Sequence, residues 1–193
     1  YADPKCPELV KELTKKDFRF RDTVLFPIFD MYGDVIAVSA RLMVPKEGHP
    51  KYVNTIYEKA SHLYGLHLAW PEILRSRKVY VVEGNVDVLQ MHQHGLTNTV
   101  AMLGSNLSVK QVALLSRFAD EIVLVPDGDE AGVKVLEKFR KLVPKRYSDT
   151  HLKFSYVPLP DQLDPDTYLS KCGMAELQKL ERSLFRQEDK LNV

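Results

Sequence analysis

Cysteine is nearly absent from this chain. There are two in 193 residues, Cys6 and Cys172, far apart in sequence. They build neither a disulfide framework nor a zinc cluster, so a reducing interior is expected. No apolar run is long enough to cross a bilayer, and no signal peptide opens the chain. The phosphate loop GxxxxGK[ST], the dinucleotide fingerprint GxGxxG and a Ser/His/Asp arrangement are all missing. The six histidines show no ligand spacing. His92 and His94 sit two apart on an expected helix and face different directions, which makes them poor co-ligands. Strong charge of one sign is missing too: the net charge is +1. That total hides a weak asymmetry, with residues 1–78 at net +3 and residues 79–193 at net −2. A basic half beside an acid-bearing half suits a polyanion held near metal ions. The chain opens on Tyr1 rather than Met, as expected of a piece of a longer protein.

What is present is 45% hydrophobic residue content, enough for one good core or two small ones. A short helix is expected near Glu8–Lys15. TVLFPIFD (23–30) and DVIAVSARLMV (34–44) read as strands joined at a hairpin by Gly33, with Pro27 marking an edge or a bulge. Residues 45–55 read as a loop carrying Lys51, Tyr52 and Asn54. Residues 57–70 have helical spacing broken at Gly65, and Pro71 is placed to begin a short helix. From residue 78 strands and helices alternate. KVYVVEGN (78–85), NTVAMLGS (98–105), EIVLVPDGD (121–129) and LKFSYVPL (152–159) read as strands. Helices are expected over 86–95, from the capping box SVKQ (108–111) to about Phe118, over 130–143, and over 174–191. The fold class is therefore α/β: a mostly parallel sheet flanked by helices, preceded by a partial α+β subdomain and followed by a helical segment. The expected domains are 1–77, 78–170 and 171–193. Arg75, Arg77 and Lys78 read as a solvated linker. Trp70, Phe118, Phe139 and Phe154 read as core rather than as base-stacking platforms.

In such sheets chemistry collects where strands end and helices begin. Three of these strand ends carry acids. Glu83 ends the first, with Asp87 four residues on. Asp127 and Asp129 end the third, and Asp164 and Asp166 follow the fourth. Six carboxylates on one rim repel each other strongly at the low effective dielectric of a cleft. Hard cations offset that repulsion, and oxygen-only ligands select Mg²⁺ or Mn²⁺. A single DxD after a strand is equally a helix cap or a solvated turn, and Asp87 and Glu130 equally favour helix N-termini. Both readings stand on the residues alone.

VVEGNVDV followed by VPDGDEAG resembles the EG…D and DGDxAG signatures of Toprim domains, found in primases, topoisomerases and some nucleases. Further pieces narrow the choice. FPIFDMYGDVIAVSARLM resembles the FPI-D-G-IGFGGR segment of bacterial DnaG-type primases. KYVNT resembles their KYLNS, HLYGL their LYGL, and LPDQLDPDTYLSKCG their LP-G-DPDE-L--G. The pieces keep the family's order and spacing from residue 23 to about 173. Departures at Asn85, Ser105 and Pro126 spare the acids and suit a phage, plasmid or otherwise divergent member.

The resemblance implies a Toprim-fold polymerase that makes short RNA primers on single-stranded DNA from ribonucleoside triphosphates. It implies two or more Mg²⁺ or Mn²⁺ ions held by Glu83, Asp87, Asp127, Asp129, Asp164 and Asp166. Asp127 and Asp129 would be core ligands, and Glu83 a ligand or the group that takes the hydroxyl proton. Arg41, Lys51, Tyr52 and Lys59 match the family's basic nucleotide-binding surface, and Asn54 matches a family asparagine. It also implies a bacterial or infected-cell cytoplasm, no membrane partner, and contact with a replicative helicase and a zinc-binding domain through other parts of the protein. Nucleic-acid cleavage by a Toprim nuclease or topoisomerase, and a non-catalytic nucleotide-binding module, are the alternatives.

Overall fold

The computed structural model describes residues 20, 23–44, 48, 50–142, 151–160 and 162–184. The expected helix near Glu8–Lys15 lies outside them. The chain divides into two compact units, Tyr1–Glu58 and Lys59–Val193. This division falls earlier in the chain than the 77/78 boundary expected from the strand pattern, because the first long helix belongs to the second unit's sheet.

The first unit is an antiparallel sheet of β1 (Thr23–Phe29), β2 (Val35–Leu42) and β3 (Tyr52–Asn54), in that order. The β1–β2 hairpin turns at Gly33, whose φ of 91° suits glycine. Asp30 Oδ1 accepts from the N–H groups of Tyr32 and Asp34, at 2.8 and 3.0 Å. Pro27 lies on the edge strand, and the register shifts between Ile28 and Phe29. β3 corrects the sequence reading of 45–55 as a loop. Its three residues pair with β2 from Ser39↔Asn54 to Arg41↔Tyr52. Local composition carries no strand signal there. Val53 is drawn in by packing with Val38, Ala40 and Phe20, a tertiary effect.

The second unit opens with a 3₁₀ turn, Lys59–Ser61, and α1 (Leu66–Ser76). Its sheet contains β4 (Lys78–Val82), β5 (Thr99–Ala101), β6 (Glu121–Leu124), β7 (Lys153–Tyr156) and β8 (Arg182–Ser183), ordered β5-β4-β6-β7-β8. The first four are parallel and β8 is antiparallel. The crossovers are α2 (Asn85–Gln93), α3 (Val109–Leu115) and α4 (Glu130–Leu142). After β7 come α5 (Pro165–Cys172) and α6 (Met174–Lys179). Val88, Met91, Tyr168, Leu169 and Leu177 cover one sheet face, against Tyr80, Val82, Val123, Val125 and Val157. The alternate residues Val79, Val81, Ile122 and Leu124 are fully buried on the other face. There Phe139 meets Phe154 edge-on at 5.6 Å. Both are core, as expected. Trp70 and Phe118 are half-buried and meet edge-on at 4.0 Å.

Two local readings change. Pro71 lies inside α1 rather than at its start: the helix begins behind Gly65 and is held by the burial of Leu66, Ala69 and Ile73. The expected helix over 174–191 stops at Lys179, and the chain then pairs as β8 with β7; residues 185–191 lie outside the described ones. Burial of Leu177 and Leu184 turns the chain back onto the sheet. Residues 165–172, for which no element was expected, form α5, capped by Asp164 with Pro165 in its first turn.

Arg75 and Arg77 are solvent-exposed, as expected, but they lie at the end of α1 and are paired, and Lys78 is half-buried at the start of β4. Arg75 pairs with Glu72 at 2.5 Å, and Arg77 takes both carboxylate oxygens of Asp120. Lys78 Nζ lies 2.7 Å from Glu181 and 3.4 Å from Glu121. Tyr80 donates to Glu181 at 3.2 Å, and Ser155 donates to Glu121 at 2.7 Å. The half-buried network therefore fastens the residue before β8 to β4 and joins the amino-terminal end of β6 to Ser155 within β7. Lys78→Ala leaves two carboxylates without their cation. It is expected to lower stability by about 2 kcal/mol in urea denaturation. A change within experimental error would mean that the network contributes nothing net.

Candidate active site

The carboxyl ends of parallel strands β4, β6 and β7 lie side by side, and each leads toward a helix. This common rim carries the acids. Glu83 follows β4 directly. Val125 N–H donates to the Val81 carbonyl at 2.8 Å, so β4 and β6 remain in step at their ends. Asp127 N–H then donates to Glu83 Oε1 at 3.3 Å.

Glycines allow the loops to close this tightly. Gly84 N–H donates to Asp87 Oδ2 at 2.9 Å, and a Cβ on Gly84 would lie 2.7 Å from that oxygen. Gly128 is held by two main-chain bonds: its N–H donates to the Leu163 carbonyl at 2.8 Å, and its carbonyl accepts from Gln162 N–H at 2.6 Å. A Cβ on Gly128 would overlap the Pro160 carbonyl oxygen, and one on Gly132 would overlap that of Asp127. The DGDEAG pattern is therefore a packing requirement. It fastens the loop after β6 to the loop after β7 and sets α4 directly against Asp127. The sequence reading missed the Gln162 contact. Its local signal is that Gln162, at φ 64°, stands where the resembled pattern LP-G-DPDE has glycine.

Asp87, Asp129 and Asp164 each also cap a helix start. Asp87 accepts from Gly84, Asp129 Oδ1 from Gly132 N–H at 2.8 Å, and Asp164 Oδ1 from Thr167 N–H at 2.7 Å. The cap reading of these acids is thus correct as far as it goes. A cap uses one carboxylate oxygen and the helix start favours the negative charge, so capping and cation binding are compatible.

Five of the six acids act on one another. Burial raises the pKa of Glu83, and the charges of Asp127 and then Asp129 raise it further. Asp87 is pushed from the usual 3.8 to about 7, first by burial and then by Asp127, with smaller effects from Asp164 and Glu83. Asp166, two residues beyond Asp164, is not among the charges acting on either group. Among the described residues no three His, Cys, Asp or Glu side chains close into a ready ligand cage. The acids share a field rather than a point. Such a donor set fits a hard divalent cation, above all Mg²⁺, which keeps several waters and takes only one or two carboxylates from a protein.

The other candidates fall elsewhere. Arg41 and Tyr52 face each other across β2 and β3, with the guanidinium 5.8 Å from the ring centroid. Asn54 lies two residues along the same face, opposite Ser39. Lys51 is exposed just before β3. Lys59 is exposed at the start of the 3₁₀ turn, in the second unit. His92 Nε2 sits 2.8 Å from the Thr99 carbonyl, and burial lowers its pKa, in keeping with a structural role. Cys172 is exposed and free; Cys6 lies outside the described residues. Among the described residues no helix is long and apolar enough to cross a membrane.

Comparison with known proteins agrees with this geometry. Residues 80–169 match a Toprim-like family model, and residues 8–70 match the model described as DNA primase catalytic core, N-terminal domain. The DNA primase of Enterococcus faecalis is 36% identical over 170 residues, covering 84% of this chain and 27% of that protein. The chain thus spans about a quarter of the length of such relatives. A crystal structure of a DNA primase domain from Pseudomonas aeruginosa superposes with a TM-score of 0.80 at 29% identity. It covers 95% of this chain and 61% of that one. A DnaG primase catalytic domain solved bound to single-stranded DNA superposes with a TM-score of 0.77 at 31% identity, covering 86% and 55%.

The raised Asp87 pKa has a definite sign. Between 3.8 and about 7 the folded chain binds more protons at this residue than the unfolded chain. Its contribution to stability therefore falls as pH rises through that window and is level above it. Asp87→Asn retains an oxygen for the Gly84 N–H and removes the charge. Urea denaturation across that window is expected to give a flatter stability curve for the variant. An equally steep curve would assign the pH dependence to another group.

Proposed function

The chain belongs to the bacterial DnaG-type primase catalytic cores, and we propose that it carries the chemistry of primer synthesis within a longer primase. It would join ribonucleotides on a single-stranded DNA template by metal-dependent nucleotidyl transfer. One observation carries this reading: Glu83, Asp87, Asp127, Asp129 and Asp164 bear on one another at one sheet rim, and main-chain bonds hold their loops. A cluster that opposes its own ionisation is suited to binding cations.

The rim acids would hold two or more Mg²⁺ or Mn²⁺ ions, which when bound would supply charge stabilisation for nucleotidyl transfer. Asp127 and Asp129, on the fastened loop, serve as the core ligands. Glu83, beside Asp127 N–H, serves as a further ligand or takes the proton of the attacking hydroxyl. Asp87 and Asp164 complete the negative field. Asp166 is assigned to the site on family resemblance alone. Arg41, Lys51, Tyr52 and Asn54 bind triphosphate or template on the first unit's sheet, where the arginine and tyrosine can hold phosphate and base or sugar. Lys59 binds phosphate from the second unit.

The template assignment draws support from the relative solved with single-stranded DNA. Ribonucleoside triphosphates, a replicative helicase and a zinc-binding domain are the further partners of the longer protein, in the cytoplasm. No observation favours the nuclease, topoisomerase or non-catalytic alternatives.

Asp127→Asn is expected to lower primer synthesis at least about a hundredfold while leaving stability unchanged or slightly higher, because it removes like-charge repulsion. Primer synthesis at the normal rate would refute the metal assignment. Crystals soaked in Mn²⁺ and a ribonucleoside triphosphate should show anomalous peaks among Glu83, Asp127, Asp129 and Asp164, and none at these acids would count against it. Lys51→Ala should weaken triphosphate or template binding by about tenfold with little change in thermal stability. Unchanged affinity for both ligands rejects that role.

A further inference from the structure

Gln111 is a buried amide outside the acid rim, 1% exposed, in the first turn of α3. Its Oε1 accepts from Ser108 N–H at 2.9 Å. Its Nε2 lies 2.7 Å from the His62 carbonyl, 2.9 Å from that of Met102 and 3.3 Å from that of Lys59. The amide has one possible orientation, since a flip would set its oxygen against three carbonyl oxygens. Ser108 adds a second tie, its hydroxyl donating to the Ala60 carbonyl at 2.5 Å.

A capping box needs only the reciprocal bonds between residues 108 and 111. The contacts to 59, 60, 62 and 102 go beyond capping. They all converge on the turn that carries Lys59 and on the end of β5. The turn Lys59–Ser61 buries none of its own residues, so apolar packing does not hold it and these bonds do. The same node reaches the acids: Met102 N–H donates to the Val82 carbonyl at 3.1 Å, and Val82 precedes Glu83.

We propose that Gln111 is a positioning residue for Lys59. It holds the lysine's turn at a constant offset from Glu83, so the phosphates of a metal-bound nucleotide meet the cation on a pre-ordered backbone. Without these bonds the turn would have to be ordered at the moment of binding. This inference rests on the reading of the rim and Lys59 as a nucleotide site.

The test is the affinity of the whole chain for Mn²⁺-ATP, measured by titration alongside thermal denaturation. The variants are Lys59→Ala, Gln111→Met, Ser108→Ala and the Gln111→Met/Lys59→Ala pair. Lys59→Ala should weaken binding about tenfold. Gln111→Met should weaken it several-fold, and the pair should be no weaker than Lys59→Ala alone, because both act through one contact. Ser108→Ala is the milder change and should give the same pattern at smaller size, even where Gln111→Met does not fold. A lowered melting temperature with unchanged affinity in both would make Gln111 a stability residue and overturn the proposal. So would Gln111→Met and Lys59→Ala effects that multiply. Unchanged affinity in Lys59→Ala also overturns it, and the rim reading then stands or falls separately on primer synthesis by Asp127→Asn. Absence of Mn²⁺-ATP binding by the unaltered chain defeats both readings together.

Discussion

Carboxylates crowded at the ends of neighbouring parallel strands resist their own ionisation, and much of the second unit's construction answers that resistance. Parallel strands 4.7–4.9 Å apart bring Glu83 and Asp127 together as a matter of register, since the β4–β6 pairing runs from Lys78↔Glu121 to Val81↔Leu124. Burial adds to the repulsion and raises Glu83 and Asp87. Left to itself such a rim would splay. It is kept together by main-chain bonds, which carry no net charge and do not compete for a cation. The clamp of Gly128 by Gln162 and Leu163 and the close seat of Gly132 under Asp127 are the clearest examples.

The opposite end of the sheet has the reverse character. There Lys78 lies between Glu121 and Glu181, so opposite charges meet and β4, β6 and the residue before β8 are drawn together. Opposite charges pair at the amino-terminal rim, whereas like charges gather at the carboxyl-terminal rim. The core between them buries valine, isoleucine and leucine on both faces, as a parallel sheet requires. Helix starts supply the third part. Asp87, Asp129 and Asp164 each accept a bond from the opening turn of a helix, so each acid is oriented by the element that follows it.

Capping and cation binding appeared as rivals when each acid was considered alone. In the folded chain they are compatible: the cap uses one carboxylate oxygen and orients the group. The pattern extends to α3, whose capping box reaches beyond its own helix to the turn bearing Lys59.

The alternation of strand and helix from residue 78, the acids at the strand ends, the hairpin at Gly33 and the capping box at Ser108 were all legible in the sequence. Each depends on residues within a few positions of one another: apolar periodicity, a turn glycine, or a cap and its third neighbour. Tertiary structure alone decided the rest. β3 and β8 are three and two residues long and exist only because an established strand offers them hydrogen bonds. Pro71 sits inside a helix because burial of its neighbours outweighs the lost bond. Lys78, which reads locally as part of a basic linker, finds its acid 103 positions away. The acids' identity was a local fact. Their mutual charge effects came from strand order and loop clamping, which no window of sequence contains.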